Sequence, residues 1–253
     1  SLEKSGRWEL ALIFFQTMKK HTDPSILSYS AVISACEKAT EWQQAMRFID
    51  VMPEFQIEPN LIAFNAAISS CEKKGQWKKA LSFFKLMWMF RMLPDVISFN
   101  AAISSCEKEE EWQQALALFE RMMMATIEPT DVTFNAAMTS CEKAGQWAMA
   151  LKFFDAMTTL KVPPDIISFN AVLAASQKAG KSEVAKDLFE SMMVQKIQPT
   201  VISFYSTITS MEMCDDPTPE RSQLLWTASQ LKELKSTLLA LSMMQRMEEK
   251  KGR

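Results

Sequence analysis

The chain of 253 residues carries a single histidine, His21, and it falls in a connector. A Cys–His nucleophile or a repeated histidine metal site is therefore not expected. Only five glycines are present, none gathered into a phosphate-cradling loop. Five cysteines occur without any CxxC pair, and four of them stand one fixed step apart. That argues against a disulfide framework and for reduced, buried thiols. No apolar run approaches the roughly 18 residues that span a bilayer. The net charge is only -2, so the chain as a whole is no polycation. These absences leave no expected metal, cofactor or catalytic constellation, and the expectation is that the chain is not an enzyme. Nor is it disordered, since 48% of its residues are hydrophobic.

What is present is a beat of 35 residues. Proline recurs at Pro24, Pro59, Pro94, Pro129, Pro164 and Pro199. An aromatic recurs at Tyr29, Phe64, Phe99, Phe134, Phe169 and Phe204. Cys36, Cys71, Cys106 and Cys141 keep the step, as do Trp42, Trp77, Trp112 and Trp147. Self-similarity at this period predicts stacked repeats, in which a site is a column of residues along a surface.

Five complete units follow, 26–60, 61–95, 96–130, 131–165 and 166–200. Residues 1–25 read as a partial repeat, the second helix of a preceding unit, and 201–218 as a degenerate partial one. Residues 219–253 read as C-terminal capping helices, with Leu231, Leu234, Leu238 and Leu241 in one stripe. A partner-binding helix is the alternative reading of that piece. The chain begins without Met and reads as a segment of a longer array, with any targeting peptide upstream.

Each unit shows two helical patterns. The second has apolar residues at spacings of three and four and a Met column at Met52, Met87, Met122, Met157 and Met192. That spacing predicts core, with Met as gap-filler rather than soft-metal ligand. Gly75, Gly145 and Gly180 suit the turn between the helices. Proline punctuates the join to the next unit.

The first pattern carries the functional signal. At about 100° per residue, Phe64, Ala67, Ile68 and Cys71 share a core face. Ile62, Asn65, Ser69 and Lys73 fall on the opposite side. Stacked units turn this side into ladders. The aliphatic ladder is Leu27, Ile62, Ile97, Val132 and Ile167. The amides are Asn65, Asn100, Asn135 and Asn170, with Ser30 in their place in the first unit. The cations are Lys38, Lys73, Lys108, Lys143 and Lys178. An aliphatic ladder can sandwich flat rings, an amide offers donors and acceptors to a base edge, and Lys suits phosphate. Together they suit single-stranded nucleic acid. A solvated role for the lysines stays open. The last residue of each unit, Asn60, Asp95, Thr130, Asp165 or Thr200, is also a good helix N-cap, which accounts for that column without a ligand.

The motif SFNAAISSCEK followed by GQW and PD, at a period of 35, resembles the pentatricopeptide repeat. The resemblance covers 26–200 and the partial units beside it. It implies an all-α fold, an α-solenoid of helix-turn-helix repeats in a right-handed superhelix. It also implies sequence-selective binding of single-stranded RNA, about one base per repeat. Base choice would lie with Ser30 and Asn60, Asn65 and Asp95, Asn100 and Thr130, Asn135 and Asp165, and Asn170 and Thr200. Base sandwiching would fall to Leu27, Ile62, Ile97, Val132 and Ile167. By the same resemblance Ser–Asn favours adenine, Asn–Asp uracil and Asn–Thr a pyrimidine, giving A-U-Y-U-Y with the RNA running 5′ to 3′ along the chain. A role in RNA processing, stability or translation in a mitochondrion or plastid is implied likewise. The alternative is a peptide-binding scaffold like the tetratricopeptide proteins. The sequence departs from a basic groove: unit 61–95 has six Lys or Arg against two acidic residues, and unit 96–130 has two against six.

Overall fold

A computed structural model describes residues 8–213, apart from 20, 22, 23, 109 and 110. The expected capping helices at 219–253 lie outside the described residues. Within them the chain is an all-α repeat solenoid of twelve α-helices, without strands. A single helix, α1 (Trp8–Lys19), precedes five hairpins. These are α2 (Ile26–Ala39) with α3 (Trp42–Val51), α4 (Leu61–Lys73) with α5 (Trp77–Met89), and α6 (Val96–Glu107) with α7 (Trp112–Met124). Then come α8 (Asp131–Lys143) with α9 (Trp147–Thr159), and α10 (Ile166–Lys178) with α11 (Ser182–Val194). A last helix, α12 (Val201–Met213), stands in the place of a leading helix. The chain divides into two compact units between Ser140 and Cys141, within α8.

Four leading helices, α2, α4, α6 and α10, start the same way. The residue after the buried or half-buried proline is extended, and its side-chain oxygen accepts the N–H three residues on. Asn60 takes Ala63 N at 2.9 Å, Asp95 takes Ser98 N at 2.9 Å and Asp165 takes Ser168 N at 2.8 Å. One otherwise unpaired helical donor is satisfied at each start. The hairpin turns end in a left-handed residue, Gly75 (φ 69), Gly145 (φ 67) and Gly180 (φ 62), with Thr40 (φ 61) in the first. The turns between repeats do the same without glycine, at Gln56, Arg91, Thr126, Lys161 and Lys196.

The core follows the columns. In the first compact unit, leading helices α2, α4 and α6 pack side by side, each also against its trailing helix. In the second, α10 packs on α9, α11 and α12. The aromatic column is buried throughout, and its rings bridge successive repeats. Phe84 meets Phe99 at 4.9 Å, Phe119 meets Phe134 at 5.2 Å, Phe154 meets Phe169 at 4.8 Å and Phe189 meets Phe204 at 5.1 Å. Edge-on and tilted rings at these separations add to area burial. The Met column is fully buried. So are Ala45, Ala80, Ala115, Ala150 and Ala185, where a small side chain lets helices approach. Cys36, Cys71, Cys106 and Cys141 are buried free thiols. Burial pushes Cys36 up to about 11 and the other three up to about 12, which leaves them protonated and unreactive.

Candidate nucleic-acid interface

On the side of the leading helices away from this core, one aliphatic side chain per repeat is left in solvent. Leu27 is 76% exposed, Ile62 62%, Ile97 58%, Val132 51% and Ile167 54%. Their neighbours two residues on, the aromatic column, are buried. Water contact of a branched aliphatic costs free energy that burial would recover. A single exposed aliphatic is ordinary, but the return of Leu27, Ile62, Ile97 and Val132 within the first compact unit makes a ledge.

Beside the ledge sit the amides. Asn65, Asn100, Asn135 and Asn170 are each half-buried. Asn65 Nδ2 donates to both oxygens of Asp95, at 3.1 and 3.3 Å. Asn100 Nδ2 donates to Thr130 Oγ1 at 3.2 Å, and Asn170 Nδ2 to Thr200 Oγ1 at 3.2 Å. In the first repeat Ser30 Oγ donates to Asn60 Oδ1 at 3.4 Å. Thus the residue that caps one helix also holds the amide of the helix before it. The capping reading and the pairing reading of that column are satisfied by the same atoms. Asn135 and Asp165 occupy the same columns, half-buried like the rest.

A further column escapes sequence reasoning. The third residue of the next leading helix donates a hydroxyl to the amide oxygen. Ser98 Oγ reaches Asn65 Oδ1 at 2.5 Å, Thr133 Oγ1 reaches Asn100 Oδ1 at 2.5 Å and Ser203 Oγ reaches Asn170 Oδ1 at 2.6 Å. All three hydroxyls are buried. The signal was there as a small hydroxyl at a step of 35, Ser98, Thr133, Ser168 and Ser203. Its role depends on a contact 33 residues away, which no local pattern reveals.

The lysine column is largely exposed, yet three of its members also reach back to the preceding leading helix. Lys73 Nζ donates to Glu37 Oε1 at 3.1 Å and to the Glu37 carbonyl at 3.2 Å. Lys178 reaches Glu142 Oε1 at 2.7 Å and its carbonyl at 3.3 Å. Lys108 donates to the Lys73 carbonyl at 2.9 Å. The electronegative C-terminal end of each preceding leading helix draws these cations in. Lys38 is exposed and Lys143 half-buried at the equivalent places. Burial pushes the neighbouring Glu72 carboxyl above its ordinary range, with Lys108 and Lys73 opposing.

The tryptophans open α3, α5, α7 and α9 and are half-buried. Lys79 lies over Trp42 at 5.6 Å and Lys181 over Trp147 at 5.2 Å, so two of these rings tie a repeat to a cation of the next. No helix is long and apolar enough to cross a membrane among the described residues. No group of His, Cys, Asp and Glu among them is arranged to hold a metal ion.

Solved structures share this architecture. The chain is similar to the pentatricopeptide repeat protein PPR10 in complex with an 18-nt psaJ RNA element, at TM-score 0.67 and 19% identity. That match covers 97% of this chain and 37% of PPR10, so the chain spans little more than a third of that protein. PPR10 from maize matches at TM-score 0.63 and 16% identity, over 94% of this chain and 38% of the other. The PPR domain of Arabidopsis thaliana protein-only RNase P 1, in complex with tRNA, matches at TM-score 0.63 and 14% identity, over 71% and 95%. No curated protein matches the chain. Family models match residues 12–74 as a pentatricopeptide repeat domain, 94–143 and 129–175 as the PPR repeat family, and 62–92 and 167–197 as PPR repeats. With nearly all of 12–197 covered by these models, the chain belongs to the pentatricopeptide repeat family.

Proposed function

We propose that the chain binds single-stranded RNA selectively, presenting about one base site per repeat and acting by occupancy rather than catalysis. The observation that carries this reading is the pairing of an exposed aliphatic with a half-buried amide, returned in four of the five repeats, the first having the buried Ser30 instead. A flat base fits between successive aliphatics while its edge meets the amide and the oxygen behind it. Structures of similar fold hold RNA, PPR10 an 18-nt element and the RNase P 1 domain a tRNA, which supports the reading. The base sites are Ser30 with Asn60, Asn65 with Asp95, Asn100 with Thr130, Asn135 with Asp165, and Asn170 with Thr200. Lys38, Lys73, Lys108, Lys143 and Lys178 meet phosphates from the same face, although Lys73 and Lys178 must share their charge with a glutamate. We further propose that the bound RNA is organellar, in a mitochondrion or plastid.

Selection from a random RNA pool tests this. Enrichment of A-U-Y-U-Y is the expected result, and Asn65→Ala with Asn135→Ala should relax two positions separated by one base. An optimum dominated by guanine, or selection unchanged by both substitutions, rejects the assignment. The ion-paired lysines and the charge of -2 favour a second reading, a peptide-binding scaffold. A partner that stays bound after nuclease treatment would support that scaffold instead.

A further inference from the structure

We infer that the buried hydroxyl three residues into the following leading helix, Thr133 for Asn100 and likewise Ser98 and Ser203, is a positioning residue for the amide that reads a base. The inference rests on the RNA reading above and deepens it. Around Asn100 three side chains close a ring. Asn100 Nδ2 donates to Thr130 Oγ1 at 3.2 Å, and Thr133 Oγ1 donates back to Asn100 Oδ1 at 2.5 Å. The two threonine hydroxyls lie 3.2 Å apart, so Thr130 can pass its proton side to Thr133 and complete the circuit. Thr133 Oγ1 also accepts the Thr130 N–H at 2.9 Å, which fills its capacity. Asn170, Thr200 and Ser203 repeat the arrangement at 3.2, 3.1 and 2.6 Å.

The ring holds the amide at both ends. A side-chain amide has two N–H donors and two carbonyl lone pairs, and the ring uses one of each. One donor and one acceptor remain, and Asn100 is only half-buried. Without the hydroxyl the amide is held at one end and turns about its last torsion, which is broad for Asn. The chain contains its own contrast. Where the amide is replaced by Ser30, the third residue of the next helix is Ala63, with no hydroxyl. A serine has no amide plane to fix.

Asn65 differs by degree. Asp95 already takes its NH2 end through two contacts, so Ser98 is the second of two restraints there. The hydroxyl therefore matters most where the repeat ends in Thr.

Position-resolved RNA selection with Thr133→Val tests the idea, because Val keeps the shape and removes the hydroxyl. Discrimination at the base facing Asn100 is expected to fall roughly tenfold, about one well-made hydrogen bond, while the other positions keep theirs. Thr133→Ser should restore it, as Ser98 and Ser203 serve elsewhere. Ser98→Ala should cost its own base less. Melting temperatures of all variants separate a lost cap from lost reading, since a merely structural role would lower every position together. Unchanged discrimination in Thr133→Val, with the parent chain binding RNA, overturns the inference alone. A parent chain that binds no RNA overturns the proposed function and the inference with it.

Discussion

The sites at Asn65 and Asn100 stand on the same scaffold and differ at the residue that closes the repeat and, more conservatively, at the hydroxyl behind it, Ser98 against Thr133. Asp95 ends the repeat of Asn65 and Thr130 that of Asn100. A carboxylate only accepts, so the NH2 end of Asn65 must face it and the amide points one way. The single proton of Ser98 is then contested, by Asn65 Oδ1 at 2.5 Å and Asp95 Oδ1 at 2.8 Å. Around Asn100 every group both donates and accepts, so the ring closes in either direction. One repeat has a fixed hydrogen-bond polarity with acceptor capacity to spare, and the next has a reversible one. The lesson is that proton count, rather than shape, separates the two. A surplus acceptor suits an imino N–H such as uracil N3–H, whereas a reversible ring accommodates either pyrimidine.

The largest effect should come from removing what both sites share. Phe99 is buried against Phe84 at the joint between them. Phe99→Ala should cost about 3–5 kcal/mol in denaturant unfolding and abolish selection at both bases. Next, exchanging the two ends should move the preference. In Asp95→Thr with Thr130→Asp, uracil-over-cytosine discrimination should fall roughly tenfold at the first base and rise as much at the second, read by competition binding. A preference that stays with the scaffold position would sink the polarity argument.

A smaller effect concerns a charge on α4, the helix that carries Asn65. Glu72 is held above the ordinary carboxylate range by burial, so its charged form costs stability at neutral pH. Glu72→Gln should raise Tm at pH 7. The gain should vanish as pH falls through about 4.5, where the carboxyl is protonated in both folded and unfolded chains. A gain independent of pH would point to packing instead. The smallest effect lies at the turn before the second pair of residues. Thr126 is β-branched yet left-handed, at φ 56. Thr126→Gly should recover about 0.5–1 kcal/mol, the strain of that conformation less the added chain entropy. Both bases should be read as before.

The period, the hairpins and the core columns were legible because burial repeats with the chain. Phe64, Ala67, Ile68 and Cys71 face inward for the same geometric reason that Ile62, Asn65, Ser69 and Lys73 do not. Joints were not legible. Lys73 on Glu37, Ser98 on Asn65 and Phe84 on Phe99 are contacts between repeats, and a helical wheel drawn for one repeat cannot show them. The turns between repeats were hidden for another reason. Gln56, Arg91, Thr126, Lys161 and Lys196 share a backbone conformation but no single residue type, because a turn closed by its backbone hydrogen bonds tolerates several polar side chains there.

The oxygen at the end of each repeat serves two masters. Asp95 begins α6 and faces Asn65 with the same carboxylate. Any residue recruited there to change the message must still launch a helix, and among residues with a side-chain oxygen Ser, Thr, Asn and Asp do that best. The vocabulary of such an array is therefore bounded by how helices begin, and those four residues are the ones this chain uses at that place.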